Sequence, residues 1–391
     1  MAASHTKIAF TIKLLKLFHS KNSLYHLLIF LIGLPIGFVC ALYLQNFSAA
    51  VQISIFSVFH SVSLPPPPLA HASTLSLLPS PSLRPPNEQM RMMHNMSDED
   101  LVKRVVEISK MTTTNTSPYK VAFMFLTPGP WPLSPLWELF FKGHEGLFSI
   151  YVHPHPSYND TTPHESIFYG TRITSQPVYW GDFSMADAER RLLANALLDP
   201  SNQRFVLLSD SCIPLFNFTN TYSYLVNSKL SYISSYDEKR KSGRGRYNPQ
   251  MSPNITIQDW RKGSQWFEVN RDLALAIVDE QNYYSLFKEY CHPPCYNDEH
   301  YLPTMVNILY GELNSNRTIT HVDWSIVGPH PRKFVRSEIT EEFLNSIRFG
   351  SNECVYNDNT TPMCVLFARK FTPGTLKPLL MFAPLLLGTN Y

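Results

Sequence analysis

An α/β fold, with a mostly parallel sheet flanked by helices, is predicted from three observations. From residue 119 onward short apolar runs alternate with amphipathic helical stretches, the order that builds βαβ units on a parallel sheet. Two of those runs, KVAFMFLT and RFVLLSDS, are almost continuously apolar, as strands covered on both faces must be. The 391-residue chain is 44% hydrophobic and 13% aromatic, enough apolar surface to offset the ordering entropy of a large core.

The residues before 119 read as an address. Positions 24–44 (LYHLLIFLIGLPIGFVCALYL) carry no formal charge, and their length suits one bilayer-spanning helix, in which Gly33, Pro35 and Gly37 are tolerated. A cleaved signal peptide is the alternative, kept open by Ser48-Ala49-Ala50; a buried core helix is another. Lys7, Lys13, Lys16 and Lys21 precede this segment and no further base occurs before Arg84. The positive-inside rule then makes residues 1–23 a cytoplasmic tail and 24–44 a signal anchor, with the rest of a type II membrane protein in the lumen. The stretch AAVQISIFSVFHSVSL reads as interfacial or stem. PPPPLAHASTLSLLPSPSLRPP favours extended polyproline structure, a spacer. Residues 97–110 form a helix capped by Ser97, with Leu101, Val105 and Ile108 at helical spacing. The stem is taken as 45–118 and the folded domain as 119–391.

Two further features suit a lumen. Glycosylation sequons begin at Asn95, Asn115, Asn159, Asn217, Asn254, Asn316 and Asn359. Five cysteines follow the span, and in an oxidising compartment two disulfides and one thiol are the economical reading. Cys354 and Cys364 flank a turn-rich stretch, and Cys291 and Cys295 flank a Pro-Pro bend, so these are the expected pairs. Cys212, after a buried run, is the expected free thiol. Zinc at Cys291-His292-x-x-Cys295 is disfavoured by the intervening Pro293 and Pro294 and by the lack of a second such pair. With the four N-terminal lysines set aside from 33 basic residues, the remainder is slightly acidic against 31 acids. A nucleic-acid binder would need a basic face.

Along the domain, the strand KVAFMFLT stops at Pro128-Gly129-Pro130 and a helix follows in LSPLWELFFKGH. Strands SIYVHP and PVYW come next, then a helix from Met185 to Asp199 opened by a Ser184-x-x-Asp187 capping box. The strand RFVLLSDS, the helix NFTNTYSYLVNS and the strand LSYISSY complete the alternation. Ligands bind at the carboxyl ends of such strands, so the loops after Thr127, His153, Trp180 and Ser209 form the expected rim. KRKSGRGRY reads as a solvated turn, with contact to an acidic glycan as the alternative. Asn297 or Asp298 can cap a helix to about Tyr310, which puts Glu299 in its first turn. Acids stabilise that position without any catalytic role; a general base also needs a carboxylate on such a rigid element. ITEEFLNSIR is a helix closed by Arg348. CVLFARKFTP is an apolar strand ending in Arg369 and Lys370 on opposite faces, for which an ordinary edge-strand lysine is the plain alternative. Trp180, Trp260, Trp266 and Trp324 offer flat faces on which a ligand can stack, although a core role is the commoner fate of a tryptophan.

No G-x-G-x-x-G, Walker loop, H-E-x-x-H or G-x-S-x-G is present. The D-x-D pattern that holds a metal in many sugar-nucleotide enzymes occurs at Asp98-Glu99-Asp100, where it reads as a helix N-terminus. RFVLLSDS ends in Asp210 alone, so no metal is expected.

The ordered run AFMFLT, PLWELFF, SIYVHP, WGDFSMADAERRLLANAL, RFVLLSDSCIPL, GRGRY, WRKGSQWFEV, CYNDEHYLPT, HVDWS and CVLFARKF resembles the plant branch of the core-2/I-branching N-acetylglucosaminyltransferase family, glycosyltransferase family 14. The resemblance covers essentially all of residues 119–380. It implies a GT-A-like fold and inverting, metal-independent transfer from a UDP-sugar (N-acetylglucosamine, glucuronic acid or xylose) to a glycan or glycoprotein acceptor in the Golgi. No cofactor is implied. The family's general base corresponds to Glu299 within Asp298-Glu299-His300. Its diphosphate-binding lysine corresponds to Lys370, with Arg369 beside it. An arginine three residues before the cysteine matching Cys354 is replaced by Ser351, leaving Arg348 as the candidate substitute. The uridine-side motif reads Val152-His153-Pro154-His155 here, so His153, with Trp180, is placed on the donor side. The family's late tryptophan matches Trp324, placing Trp324, Asp323 and Trp266 on the acceptor side. A fold-retaining luminal glycan-binding or scaffold protein without turnover is the rival reading, favoured by Ser351 and His155 and opposed by Glu299 and Lys370.

Overall fold

The computed structural model describes residues 94–111, 118–159, 161–326, 328–350 and 353–388. The expected span at 24–44, most of the stem, Asn115 and Ser351 lie outside the described residues. Among the described residues no helix is long and apolar enough to cross a membrane.

The main sheet contains β1 (Lys120–Leu126), β2 (Phe148–His153), β3 (Asn202–Ser209) and β5 (Glu268–Asn270) in the order β2-β1-β3-β5. The first three are parallel and β5 is antiparallel to β3. Leu126 is in register with both His153 and Ser209, so three strands end on one line at the carboxyl edge.

Pleating explains the apolar runs. Val121, Phe123 and Phe125 point into one cluster, where they meet Trp137, Phe140 and Phe141 of helix α2 (Ser134–Phe141). Ala122 and Met124 point into the other, with Leu192, Leu193 and Ala196 of helix α3 (Ser184–Leu197). Both faces are dry, so no alternation survives in the sequence. Each fully buried large apolar side chain contributes about 1.5–3 kcal/mol.

Helix α1 (Asp98–Met111) sends Leu101 and Val105 into the second cluster. Its Asp98 carboxylate accepts from Nε of Arg191 on α3 at 2.7 Å. The helix assigned to the stem is thus packed into the core of the domain, and the first carboxylate of the D-x-D pattern is a structural tie. Ser97 caps it as expected, accepting from the Asp100 amide.

Three local expectations differ from the structure. At α3 the Asp182 carboxylate accepts from the Ser184 amide while Asp187 accepts from the Tyr284 hydroxyl, so the expected capping box does not form. PVYW is not a strand; the position beside β2 is taken by Arg172, bridged to Val152, and Tyr179 and Trp180 are exposed. LSYISSY makes only isolated bridges, Ser231 to Asn314, Tyr232 to Glu268 and Tyr236 to Lys262, so its partners come from three separate segments.

Helices α4 (Phe218–Val226) and α5 (Arg271–Asp279) are capped by Asn217 and Asn270. Helices α6 (Asn282–Tyr290) and α7 (Asn297–Leu309) follow. A second sheet has the order β4-β9-β6, from β4 (Ile213–Pro214), β9 (Phe367–Arg369) and β6 (Thr320–Val322). The strand β9 is central, so Lys370 does not follow an edge strand. Helix α8 (Glu341–Phe349) precedes a hairpin of β7 (Cys354–Tyr356) and β8 (Asn359–Thr361), turned at Asn357 and Asp358, both with positive φ. Helices α9 (Leu376–Met381) and α10 (Ala383–Leu387) close the domain. The disulfides Cys291–Cys295 and Cys354–Cys364 are both present, and Cys212 is free and buried.

Candidate active site

Two segments come near each other: the end of β9 with Lys370 after it, and the first turn of α7, whose Asp298 interacts with Arg369. The β4–β9 pairing, extended by the Phe371 amide donating to the Ser211 carbonyl at 3.0 Å, lays Arg369 and Lys370 against the Ser209–Cys212 turn. Burial raises the Asp210 carboxyl while Arg369 and Lys370 pull it back. Burial lowers both cations, with Arg369 adding to the effect on Lys370. Arg369 lies 3.9 Å over the ring of Trp266. Its Nε is buried without a hydrogen-bond partner, so the indole face and nearby carboxylates carry its charge.

Helix α7 is anchored at its start. Tyr296 is its N-cap and makes no side-chain cap bond. Asn297, expected as a possible cap, instead donates to the Asp182 carbonyl at 2.9 Å. The Gly263 amide donates to the Glu299 carbonyl at 2.8 Å. A Cβ at Gly263 would stand 1.8 Å from the Ser234 carbonyl oxygen, so no other residue fits there.

The Glu299 carboxylate is one-fifth exposed and holds two cations: Arg246 Nη1 at 2.5 Å and Lys262 Nζ at 3.1 Å from Oε2. Arg246 comes from the basic run read as a solvated turn, so that reading is corrected at this residue. A basic run looks the same in sequence whether water or a distant carboxylate receives it. Burial, reinforced by Glu299, pushes the Asp298 carboxyl up to about 6, with Arg246 and Arg369 opposing. Asp298 therefore feels the cations of both halves of the site. His300 stacks on Trp260 with centroids 4.7 Å apart, and its Nδ1 is 2.8 Å from the Arg261 carbonyl oxygen. Burial pushes it down to about 4, which marks it as a neutral brace for the loop that carries Lys262.

The other sequence-derived positions scatter. His153 is fully buried, with Arg191 Nη1 3.2 Å from its Nε2; burial and then Arg191 push it down to about 4. It is walled in at the end of β2 and does not reach the open rim. Trp180 is exposed, 5.1 Å from the Tyr296 ring and 5.3 Å from His330, which puts it near the α7 start. Trp266 is buried beneath Arg369 and offers no open face. Asp323 is 3.4 Å from Arg332, and the adjacent Trp324 is half exposed. Arg348 donates to Asn345 and lies over Phe216 and Phe349; among the described residues no hydrogen bond or ion pair joins it to Lys370 or Asp210. Sequence reasoning missed Arg246 and Lys262 as partners of Glu299, and the basic run was the one signal that could have found Arg246. Asn95, Asn159, Asn254, Asn316 and Asn359 are exposed, whereas the Asn217 carboxamide is engaged in capping α4. Among the described residues no group of three or more His, Cys, Asp or Glu side chains converges as a metal site would require.

A family model described as Core-2/I-Branching enzyme matches residues 121–348. The chain is also similar to Glycosyltransferase BC10 of Oryza sativa subsp. japonica, 36% identical over 299 residues that make up 65% of this chain and 74% of that protein.

Proposed function

The chain belongs to the core-2/I-branching enzyme family, which makes glycosyl transfer its chemistry, and from that premise we propose an inverting transfer from a UDP-sugar to a glycan or glycoprotein acceptor without a metal ion. The observation that carries the reading is one fixed carboxylate, Glu299, held apart from a cationic pair, Arg369-Lys370, that closes β9 against the Ser209–Cys212 turn. Inversion is an in-line displacement at the anomeric carbon. Glu299 takes the acceptor hydroxyl proton, the acceptor oxygen forms the new bond to that carbon, and the bond to the UDP oxygen breaks. The electron pair leaves with UDP, so negative charge grows at the diphosphate, where Lys370 and Arg369 stand. Arg246 and Lys262 hold the carboxylate in one orientation. Trp324 supplies an exposed ring on which an acceptor sugar can stack. The site is assigned to the Golgi lumen, behind a type II signal anchor at 24–44.

UDP release by the full chain, measured with UDP-N-acetylglucosamine, UDP-glucuronic acid and UDP-xylose over a panel of plant cell-wall oligosaccharides, tests the proposal. Acceptor-dependent release from one donor, undiminished by excess EDTA, is expected. A reversible requirement for Mn²⁺ or Mg²⁺ would overturn the metal-free mechanism. Glycan binding without release from any donor would establish the non-catalytic alternative.

A further inference from the structure

Beyond Val322, the last residue of β6, the chain leaves its pairing with β9, passes Trp324, and returns at Phe334 to pair with the β9 continuation. The Phe334 amide donates to the Lys370 carbonyl at 2.8 Å, the Thr372 amide donates to the Phe334 carbonyl at 3.0 Å, and Phe334 and Phe371 form a parallel bridge. Their rings pack with centroids 4.9 Å apart. Matched positions on parallel segments share a face, so the preceding residues, Lys333 and Lys370, stand side by side. Neighbouring Arg332 is taken by the carboxylates of Asp323 and Glu338. Lys333 is exposed and in no ion pair among the described residues. The charged groups that act on Lys370 are Arg369, Asp210 and Lys333, three cations in all against one carboxylate that burial pushes toward its neutral form.

Two lysines held abreast by backbone hydrogen bonds repel each other, and the arrangement is relieved by an anion that meets both. We propose that Lys333 is a third cation for the donor diphosphate, sharing with Lys370 the charge that develops on departing UDP. This rests on the reading of Lys370 given above. The residues that precede Lys333 and Trp324 are tied together, the Arg332 amide donating to the Asp323 carbonyl at 2.9 Å, so the cation and the exposed ring stand on neighbouring backbone.

The full chain carrying Lys333→Ala, Lys333→Arg or Lys370→Ala is assayed for inhibition by UDP and by UMP, with thermal melting to confirm folding. Lys333→Ala should weaken UDP about two- to fivefold, the range for losing one exposed charge contact. UMP should change less than about twofold and Lys333→Arg should restore UDP binding, because the lost contact is with the second phosphate and needs only charge. If Lys370→Ala weakens UDP while Lys333→Ala does not, the inference falls and the proposed function stands. If neither matters, the diphosphate site itself is wrong. Equal weakening of UDP and UMP by Lys333→Ala would also overturn the assignment.

Discussion

Arg246 serves Glu299 and the start of its helix together: the guanidinium Nη1 is 2.5 Å from the Glu299 carboxylate while the group lies 4.7 Å over the ring of Tyr296, the residue that caps α7. A carboxylate that must take a proton along one direction benefits from a partner that cannot rotate away. Arg246→Met is expected to lower kcat about tenfold or more with the donor KM nearly unchanged. Steady-state kinetics with varied donor checks this, and an unaltered kcat would remove Arg246 from the positioning role.

Glu299→Gln keeps the side-chain shape and loses the ability to accept a proton. Turnover should drop by about 10² to 10⁴, the usual worth of a general base, and UDP should still bind as in the wild type. The comparison of turnover with UDP inhibition decides it; near-normal turnover would exclude Glu299 as the base.

The Cys291–Cys295 bridge spans four positions in sequence and ends two residues before α7. So short a loop restricts the unfolded chain less than the ten-position separation of Cys354 and Cys364. If α7 carries the general base as proposed, the bridge fixes the entry to that helix. In the Cys291→Ala/Cys295→Ala double variant kcat should fall while Tm moves by only a few degrees. A large loss of Tm with normal turnover per folded molecule would reverse that assignment.

His153 is buried neutral, pushed from 6.5 down to about 4 by burial and by Arg191. Between those values the unfolded chain takes up a proton that the folded chain refuses, so the stability held above pH 6.5 is lost as pH falls toward 4. At about 1.4 kcal/mol per pH unit the loss is at most about 3.5 kcal/mol. Asp298, pushed up to about 6, acts with the opposite sign and His300, pushed down to about 4, with the same sign, so the wild-type curve alone mixes all three. Denaturant unfolding of the wild type and His153→Gln at several pH values separates them. The stability advantage of the wild type should shrink from pH 6.5 to pH 4, and a constant difference would show that His153 does not titrate in this way.

The strands β1 and β3 were legible because apolar runs of that length have few other fates, and α7 because its acids and its apolar spacing mark a helix start. The two disulfides followed from short separations across bends, where chain geometry alone limits the choice. Ordered motifs led to Glu299 and Lys370. What the tertiary structure decided are relations between distant positions. Arg246 and Glu299 are 53 residues apart, and no local pattern distinguishes an arginine paired across that distance from one in water. The three-residue strand β9 is too short to announce that it is central, yet its pairing on both sides places Arg369 over Trp266 and Lys370 beside Lys333. Burial is likewise a property of the assembled core. His153 ends an apolar strand in either reading, and packing around Arg191 encloses it, because what a side chain can reach depends on every layer built over it.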